Sequence, residues 1–279
     1  MIHAKKSLGQ NFLHDKAVLA RIAALALPDP GSGLVEIGPG TGNLTAHLLA
    51  LLPADAQLTA IERDRRLLPH LAERFPQRLA VVEADAADVA WPQLLAPLGP
   101  HPVVVGNLPY YAALPILFAV LAARPARMVF MVQKEVAERL VANPGTPAQG
   151  QISVKIQMVS DVALAFKVGP GAFTPAPSVD SAVVVFRPLA APRFPVPDLG
   201  RLNHLISAGF SQRRKTLVNA AGHALHLPAE GIRAALAATG VDERIRAEAL
   251  TLRQWARLAQ ILDDSLATAP RETGGARGD

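Results

Sequence analysis

The sequence predicts a doubly wound α/β sheet, mostly parallel and closed by an antiparallel hairpin, followed by a small all-α C-terminal domain. Three observations carry that expectation. Short apolar runs alternate with helix-forming segments through the first half of the chain, as in a parallel sheet covered on both faces. A glycine-rich turn, Gly38-Pro39-Gly40-Thr41-Gly42, stands where the first of these strands hands over to a helix. Four prolines between Pro188 and Pro197 then end the alternation, and helical patterning follows.

In chain order, Ala17–Leu27 has helical composition and stops at Pro28, whose ring clashes with a continuing helix. Gly33–Ile37 reads as a buried strand, and the segment from Thr41 as a helix ended by Pro53. Gln57–Ile61, Leu79–Glu83, Pro102–Val105 and Met128–Val132 read as further strands, with Arg66–Arg74 as a helix between the first two. Ile152–Val168 and Ala182–Phe186 are strand candidates with no long helix between them, which suggests the closing hairpin. Leu199–Leu225, Ala229–Thr239 and Leu252–Leu266 read as helices. The expected organisation is a catalytic domain over 1–188, with 1–15 as an N-terminal segment, a linker over 189–197, a helical domain over 198–267 and a disordered tail over 268–279.

Half of the 279 residues are apolar, enough for one full core and a smaller second one. The net charge of +5 favours nucleic acid only weakly. The absence of cysteine excludes a disulfide framework, a Cys-ligated zinc and a thiol nucleophile. Met1 leads straight into His3, Lys5 and Lys6, and no apolar run approaches the ~20 residues of a membrane span. A soluble cytoplasmic protein, monomeric by default, is expected.

Glycines at a strand-to-helix turn allow a ligand to approach the backbone at the carboxyl edge of the sheet. Glu62 follows the second strand, twenty residues beyond Gly42, where an acid binds ribose hydroxyls in such folds. Asn43 stands where a nicotinamide fingerprint needs its third glycine, which argues against NAD. Asp85 follows the third strand at the same edge, placed to accept a hydrogen bond from an adenine amino group. Asp85, taken alone, reads equally as a solvated loop carboxylate, and Glu62 less so; their shared edge favours the ligand reading of both.

Asn107-Leu108-Pro109-Tyr110 follows the fourth strand and is the sharpest signal in the chain. The exocyclic amine of adenine is a poor nucleophile because its lone pair is delocalised into the ring. The Asn107 amide oxygen and the Leu108 carbonyl can accept its two hydrogens and turn the lone pair toward a methyl donor. Pro109 stiffens the turn, and Tyr110 offers a stacking face to an extruded base, worth on the order of 1–3 kcal/mol. In-line displacement at a sulfonium methyl then proceeds by proximity and orientation, with neither metal nor covalent intermediate required.

With these residues in view, the chain resembles the bacterial small-subunit ribosomal RNA adenine dimethyltransferases, the KsgA family, over nearly its full length. The matching segments are Lys6–Leu13, Val35–Gly40, Gly106–Tyr110, Gln133–Leu140, Phe173–Val183 and Gln212–Thr216. The resemblance implies a Rossmann-like class I methyltransferase sheet, S-adenosyl-L-methionine as cofactor, and N6,N6-dimethylation of two adjacent adenines near the 3′ end of 16S rRNA, in the small ribosomal subunit or its precursor. It implies that Asn11 and Leu13 border the cofactor, and that Gly38, Glu62, Asp85 and Asn107 contact it; Gly40, in the same glycine turn, is a further cofactor-binding candidate. It also implies that Phe173 closes on the target base opposite Tyr110, although Phe173 beside Pro175 and Pro177 reads by itself as loop packing. Ala112 and Ala113 precede Pro115 where relatives commonly have Ser or Thr, and Gln149 precedes Gly150 where an aromatic is common. Both departures bear on substrate contacts.

Arg213, Arg214 and Lys215 offer three adjacent cations to RNA phosphates, from within or at the start of a helix. On sequence alone they read equally as a solvated face. Lys5 and Lys6 are weaker candidates for the same surface, while Arg63, Arg65 and Arg66 read as exposed helix-start residues. Two rival readings remain. One is the resistance-type methyltransferase of 23S rRNA, against which the Phe173–Val183 and Gln212–Thr216 segments argue. The other is a non-catalytic ribosome-assembly factor, which has no need of Gly38, Glu62, Asn107 and Tyr110.

Overall fold

The computed structural model describes residues 10–212 and 214–267, with side chains to 262. By its contacts the chain divides into two compact units, Met1–Val141 with Ser160–Ala190, and Ala142–Val159 with Ala191–Asp279. The expected tail over 268–279 lies outside the described residues, as do Lys5, Lys6 and Arg213.

The first unit runs β1 (Phe12–Leu13), α1 (Lys16–Ala26), β2 (Leu34–Ile37), α2 (Asn43–Leu51), β3 (Leu58–Glu62), α3 (Leu68–Arg74), β4 (Leu79–Glu83), α4 (Trp91–Leu95), β5 (Val103–Asn107), α5 (Ala113–Ala122), β6 (Arg127–Gln133) and α6 (Lys134–Leu140). In the second unit lies α7 (Gln151–Val159), after which β7 (Ser160–Val168), β8 (Phe173–Thr174) and β9 (Ser181–Pro188) complete the first. Seven strands pair in the order β4-β3-β2-β5-β6-β9-β7. The first five are parallel, and β9 is antiparallel to both β6 and β7. The closing hairpin expected from sequence is therefore present. Strand order reverses between β2 and β5, so their carboxyl ends flank the crevice where doubly wound folds bind ligands.

Local chemistry explains the boundaries. Asp15 caps α1 by accepting from the Ala17 and Val18 amides. That helix ends one residue early because Leu27, preceding Pro28, is driven to an extended conformation. β2, β5, β6 and β9 have continuously buried interiors, as strands covered on both faces require. An apolar cluster joins Leu19, Ile22 and Ala26 of α1 and Leu44 and Leu48 of α2 to Val103 and Val105 of β5 and Val129 of β6.

The second unit continues with α8 (Leu199–Gly209), α9 (Leu217–Leu225), α10 (Ala229–Ala238) and α11 (Leu252–Ala267). Val154 and Met158 of α7 join Leu205, Leu217, Leu236 and Trp255 in its core. The strand expected over Ile152–Val168 is thus half helix. Its first eight residues place Val154, Ile156 and Met158 in the interior as a helix, and only Ser160–Val168 pairs with β9. The continuous helix expected over Leu199–Leu225 is also broken. After Gly209 the chain turns, and Thr216 starts α9 by accepting from the Asn219 amide. Among the described residues no helix is long and apolar enough to cross a membrane.

Candidate active site

A cavity opens at the carboxyl ends of β2, β3, β4 and β5, with about 1080 Å³ of empty space that is partly open to solvent. Its floor is the turn after β2. Gly40 adopts φ +58°, and its amide donates to Glu62 Oε2 at 3.2 Å. A side chain there would be both strained and crowded against Phe12. Gly106 serves a different need, since a Cβ would lie 2.7 Å from the Ile37 carbonyl and push β5 away from β2 at the switch point.

Glu62 ends β3 with 6% of its surface exposed. Its Oε1 accepts from the Asp64 amide at 2.7 Å. Burial raises its pKa, and these backbone donors pull in the opposite direction. Glu36 in β2 lies deeper, accepting from Thr45 Oγ1 at 2.6 Å. Burial, with repulsion from Glu62 as a lesser contribution, pushes its carboxyl up to about 8, so it is largely protonated at neutral pH. Asp64 behaves oppositely, because the Arg66 guanidinium holds it well below the usual carboxylate range. It also accepts from Gln10 Nε2 at 2.9 Å.

Two further side-chain bonds from the loops reach the segment Gln10–Leu13. Asn43, at the first turn of α2, donates to the Leu13 carbonyl at 2.9 Å. Asn107, at the end of β5, donates through Nδ2 to the Asn11 carbonyl at 3.1 Å. β1 meanwhile pairs with β8, Phe12 opposite Thr174 and Leu13 opposite Phe173. Gln10, Asn11, Phe12 and Leu13 thus form one wall of the cavity.

Asn107 is thereby oriented. A carbonyl oxygen can only accept, so the amide nitrogen faces Asn11 and Oδ1 is left for the cavity. The Leu108 amide is tied to the Met131 carbonyl at 3.1 Å, and no donor among the described residues reaches the Leu108 carbonyl. Tyr110 is half-buried, with its hydroxyl 2.8 Å from Ser181 Oγ at the start of β9. Burial raises its pKa, which keeps the phenol protonated and unsuited to act as a base at neutral pH.

Asn11, Leu13, Gly38, Gly40, Glu62, Asp85, Asn107, Leu108, Pro109 and Tyr110 all line the cavity. Phe173 does not. It is 3% exposed and packs in the apolar cluster with Leu13, Val168 and Val183, so its ring is not presented to the crevice. Arg214 and Lys215 lie in the turn before α9 in the second unit, rather than within a helix.

Several lining residues escaped the sequence reading. Arg63 is not a bystander at a helix start, because it pairs with Asp85 at 2.9 Å and lines the cavity. Gln10, Glu36, Asn43, Asp64 and Tyr111 also line it. Asn43 had left one signal, an amide where a dinucleotide fold wants glycine. Among the described residues no group of three or more His, Asp or Glu side chains is placed to hold a metal ion.

A switch-point crevice with an acid ending β3, a side-chain amide ending β5 and a proline in the turn beyond it defines a methyltransferase of the doubly wound class. The chain matches ribosomal RNA adenine dimethylase over residues 1–264, and it belongs to that family. It is 46% identical over 273 residues to the ribosomal RNA small subunit methyltransferase A of Anaeromyxobacter sp. (strain K), covering 94% of each chain. To the protein of the same name from Geobacter sulfurreducens it is 44% identical over 267 residues, covering 94% of this chain and 96% of the other. The solved structure of the 23S rRNA methyltransferase ErmE superposes with a TM-score of 0.69 at 28% identity, covering 91% of this chain and all of that one. A dimethyladenosine transferase from Plasmodium falciparum shares the fold, with a TM-score of 0.75 at 24% identity over 91% of this chain and 98% of its own.

Proposed function

We propose that this chain transfers methyl groups from S-adenosyl-L-methionine to the N6 amines of two adjacent adenines near the 3′ end of 16S rRNA, as a monomer in the cytoplasm during small-subunit maturation. The observation that carries the reading is the orientation of Asn107. With Nδ2 tied to Asn11, Oδ1 is a fixed acceptor for one amino hydrogen, and the Leu108 carbonyl is the acceptor for the other.

The cavity suits the cofactor. Gly38 keeps its floor open, since a Cβ there would meet only the Asn107 carbonyl, at 3.9 Å. Glu62 offers remaining lone pairs to ribose hydroxyls, and Asp85 stands at the adenine end. When bound, the cofactor supplies a methyl group on a sulfonium, ready for displacement by an amine.

The residues then act by position. Tyr110 stacks on the extruded base, with its hydroxyl anchored on Ser181. Asn107 and Leu108 hold the amine so that its lone pair faces the methyl. Leu108 and Ile116 line the cavity with apolar surface, which strengthens the polar contacts made there. Arg214 and Lys215 meet RNA phosphates, with Arg213, outside the described residues, as a third candidate.

The 28% likeness to ErmE keeps a large-subunit substrate as the second reading. Undermethylated small and large subunits, incubated in parallel with methyl-labelled cofactor, separate the two. Label confined to small subunits is expected, and label confined to large subunits would replace the proposal with its rival.

A further inference from the structure

We infer that Arg63 is a positioning residue that, through Tyr111, ties the cofactor end of the crevice to the loop presenting the target base. The inference rests on the cofactor reading above. Arg63 follows β3, and its Nη1 donates to Asp85 Oδ2 at 2.9 Å in the loop after β4. The same nitrogen donates to the Tyr111 hydroxyl at 3.2 Å in the loop after β5. All three side chains line the cavity, so one guanidinium nitrogen joins three loops of the binding edge.

The anchor of this latch is firm. Asp85 Oδ1 accepts from the Ala87 amide at 3.0 Å, so the carboxylate is held at both oxygens. Its free end is not. Tyr111 is 56% exposed, an unusual position for a large aromatic, and little packing fixes it. Tyr111 is also the next residue after Tyr110, so restraining one restrains the other. The contact is too exposed to matter for global stability, and its effect is local.

A nucleoside seated against Asp85 steadies the Arg63 end, and through Tyr111 the loop that receives the RNA base. Cofactor and RNA then bind with positive coupling, and linkage makes that coupling equal in both directions. Tyr111→Phe removes only the hydroxyl and is the cleanest probe. Arg63→Met removes the bridge while keeping an unbranched stem.

The experiment measures S-adenosylhomocysteine affinity by calorimetry, then affinity for undermethylated small subunits with and without saturating S-adenosylhomocysteine. It uses the wild type, both single variants and the double variant. For the wild type, S-adenosylhomocysteine tightens subunit binding by roughly 2- to 12-fold, the range of one hydrogen bond. Either single variant removes that tightening, and the double is no worse than either. Full tightening in Tyr111→Phe, additive losses, or a wild type that binds S-adenosylhomocysteine without tightening would each overturn the latch while leaving the cofactor reading intact. A wild type that does not bind S-adenosylhomocysteine would remove the cofactor reading itself.

Discussion

The Asn107 side chain donates to the Asn11 main-chain carbonyl at 3.1 Å, and this bond decides which end of the amide faces the crevice. Asn107→Asp is therefore expected to be worse than its size suggests. A carboxylate cannot donate to Asn11, so it repels the carbonyl and loses its fixed aim. A fall in kcat of roughly 100-fold or more is expected, on the scale of losing one transition-state acceptor. Single-turnover methylation kinetics measure it, with melting temperature as the control for folding.

Glu62→Gln tests the ribose contact. Glu62 accepts from the Gly40 and Asp64 amides through different oxygens, and glutamine must set an NH2 against one of those donors. That mismatch turns the side chain away from the ribose, and losing a hydrogen bond to a charged group costs about 1.5–3 kcal/mol, so calorimetry should show S-adenosylhomocysteine binding weakened by roughly 12- to 150-fold. Unchanged affinity would place the ribose elsewhere.

Glu36 predicts a pH dependence of stability. Its folded pKa of about 8 lies above the ordinary 4.5, so on raising the pH the unfolded chain gives up this proton first. The group costs nothing below about 4.5, destabilises the fold progressively up to about 8, and adds nothing further above that. Glu36→Gln, which keeps an acceptor for Thr45, should raise the melting temperature at pH 7.5 and leave it unchanged near pH 4. Parallel curves for the two proteins across that range would show the carboxyl to be ionised in the folded state.

Phe173 is predicted to act through packing. Phe173→Ala removes a ring that is 3% exposed behind Leu13, and large aromatic truncations in cores cost roughly 3–5 kcal/mol. Denaturant unfolding should report that loss. A stable Phe173→Ala protein with impaired RNA methylation would instead indicate a direct role at the base.

Most of the sheet was legible because buried parallel strands are continuous apolar runs and glycine and proline punctuate them. Ile152–Val159 misled because its apolar residues, Ile152, Val154, Ile156 and Met158, alternate with polar ones as in a strand, and the boundary at Ser160 is set by packing with α8 and α11 on one side and β9 on the other. At the site, acids and amides that follow strands could be read from spacing alone. Gln10 and Arg63 could not, because their partners Asp64 and Asp85 lie 54 and 22 residues away. Asn11 contributes a main-chain carbonyl, a role that no side-chain pattern encodes.

The most direct test of the central claim is nucleoside mass spectrometry of rRNA from undermethylated small subunits treated with S-adenosyl-L-methionine and either wild-type or Asn107→Ala protein. The account predicts N6,N6-dimethyladenosine with the wild type and none with the variant. Dimethyladenosine at the wild-type level from Asn107→Ala, or methylation at a position other than the adenine amine, would contradict it.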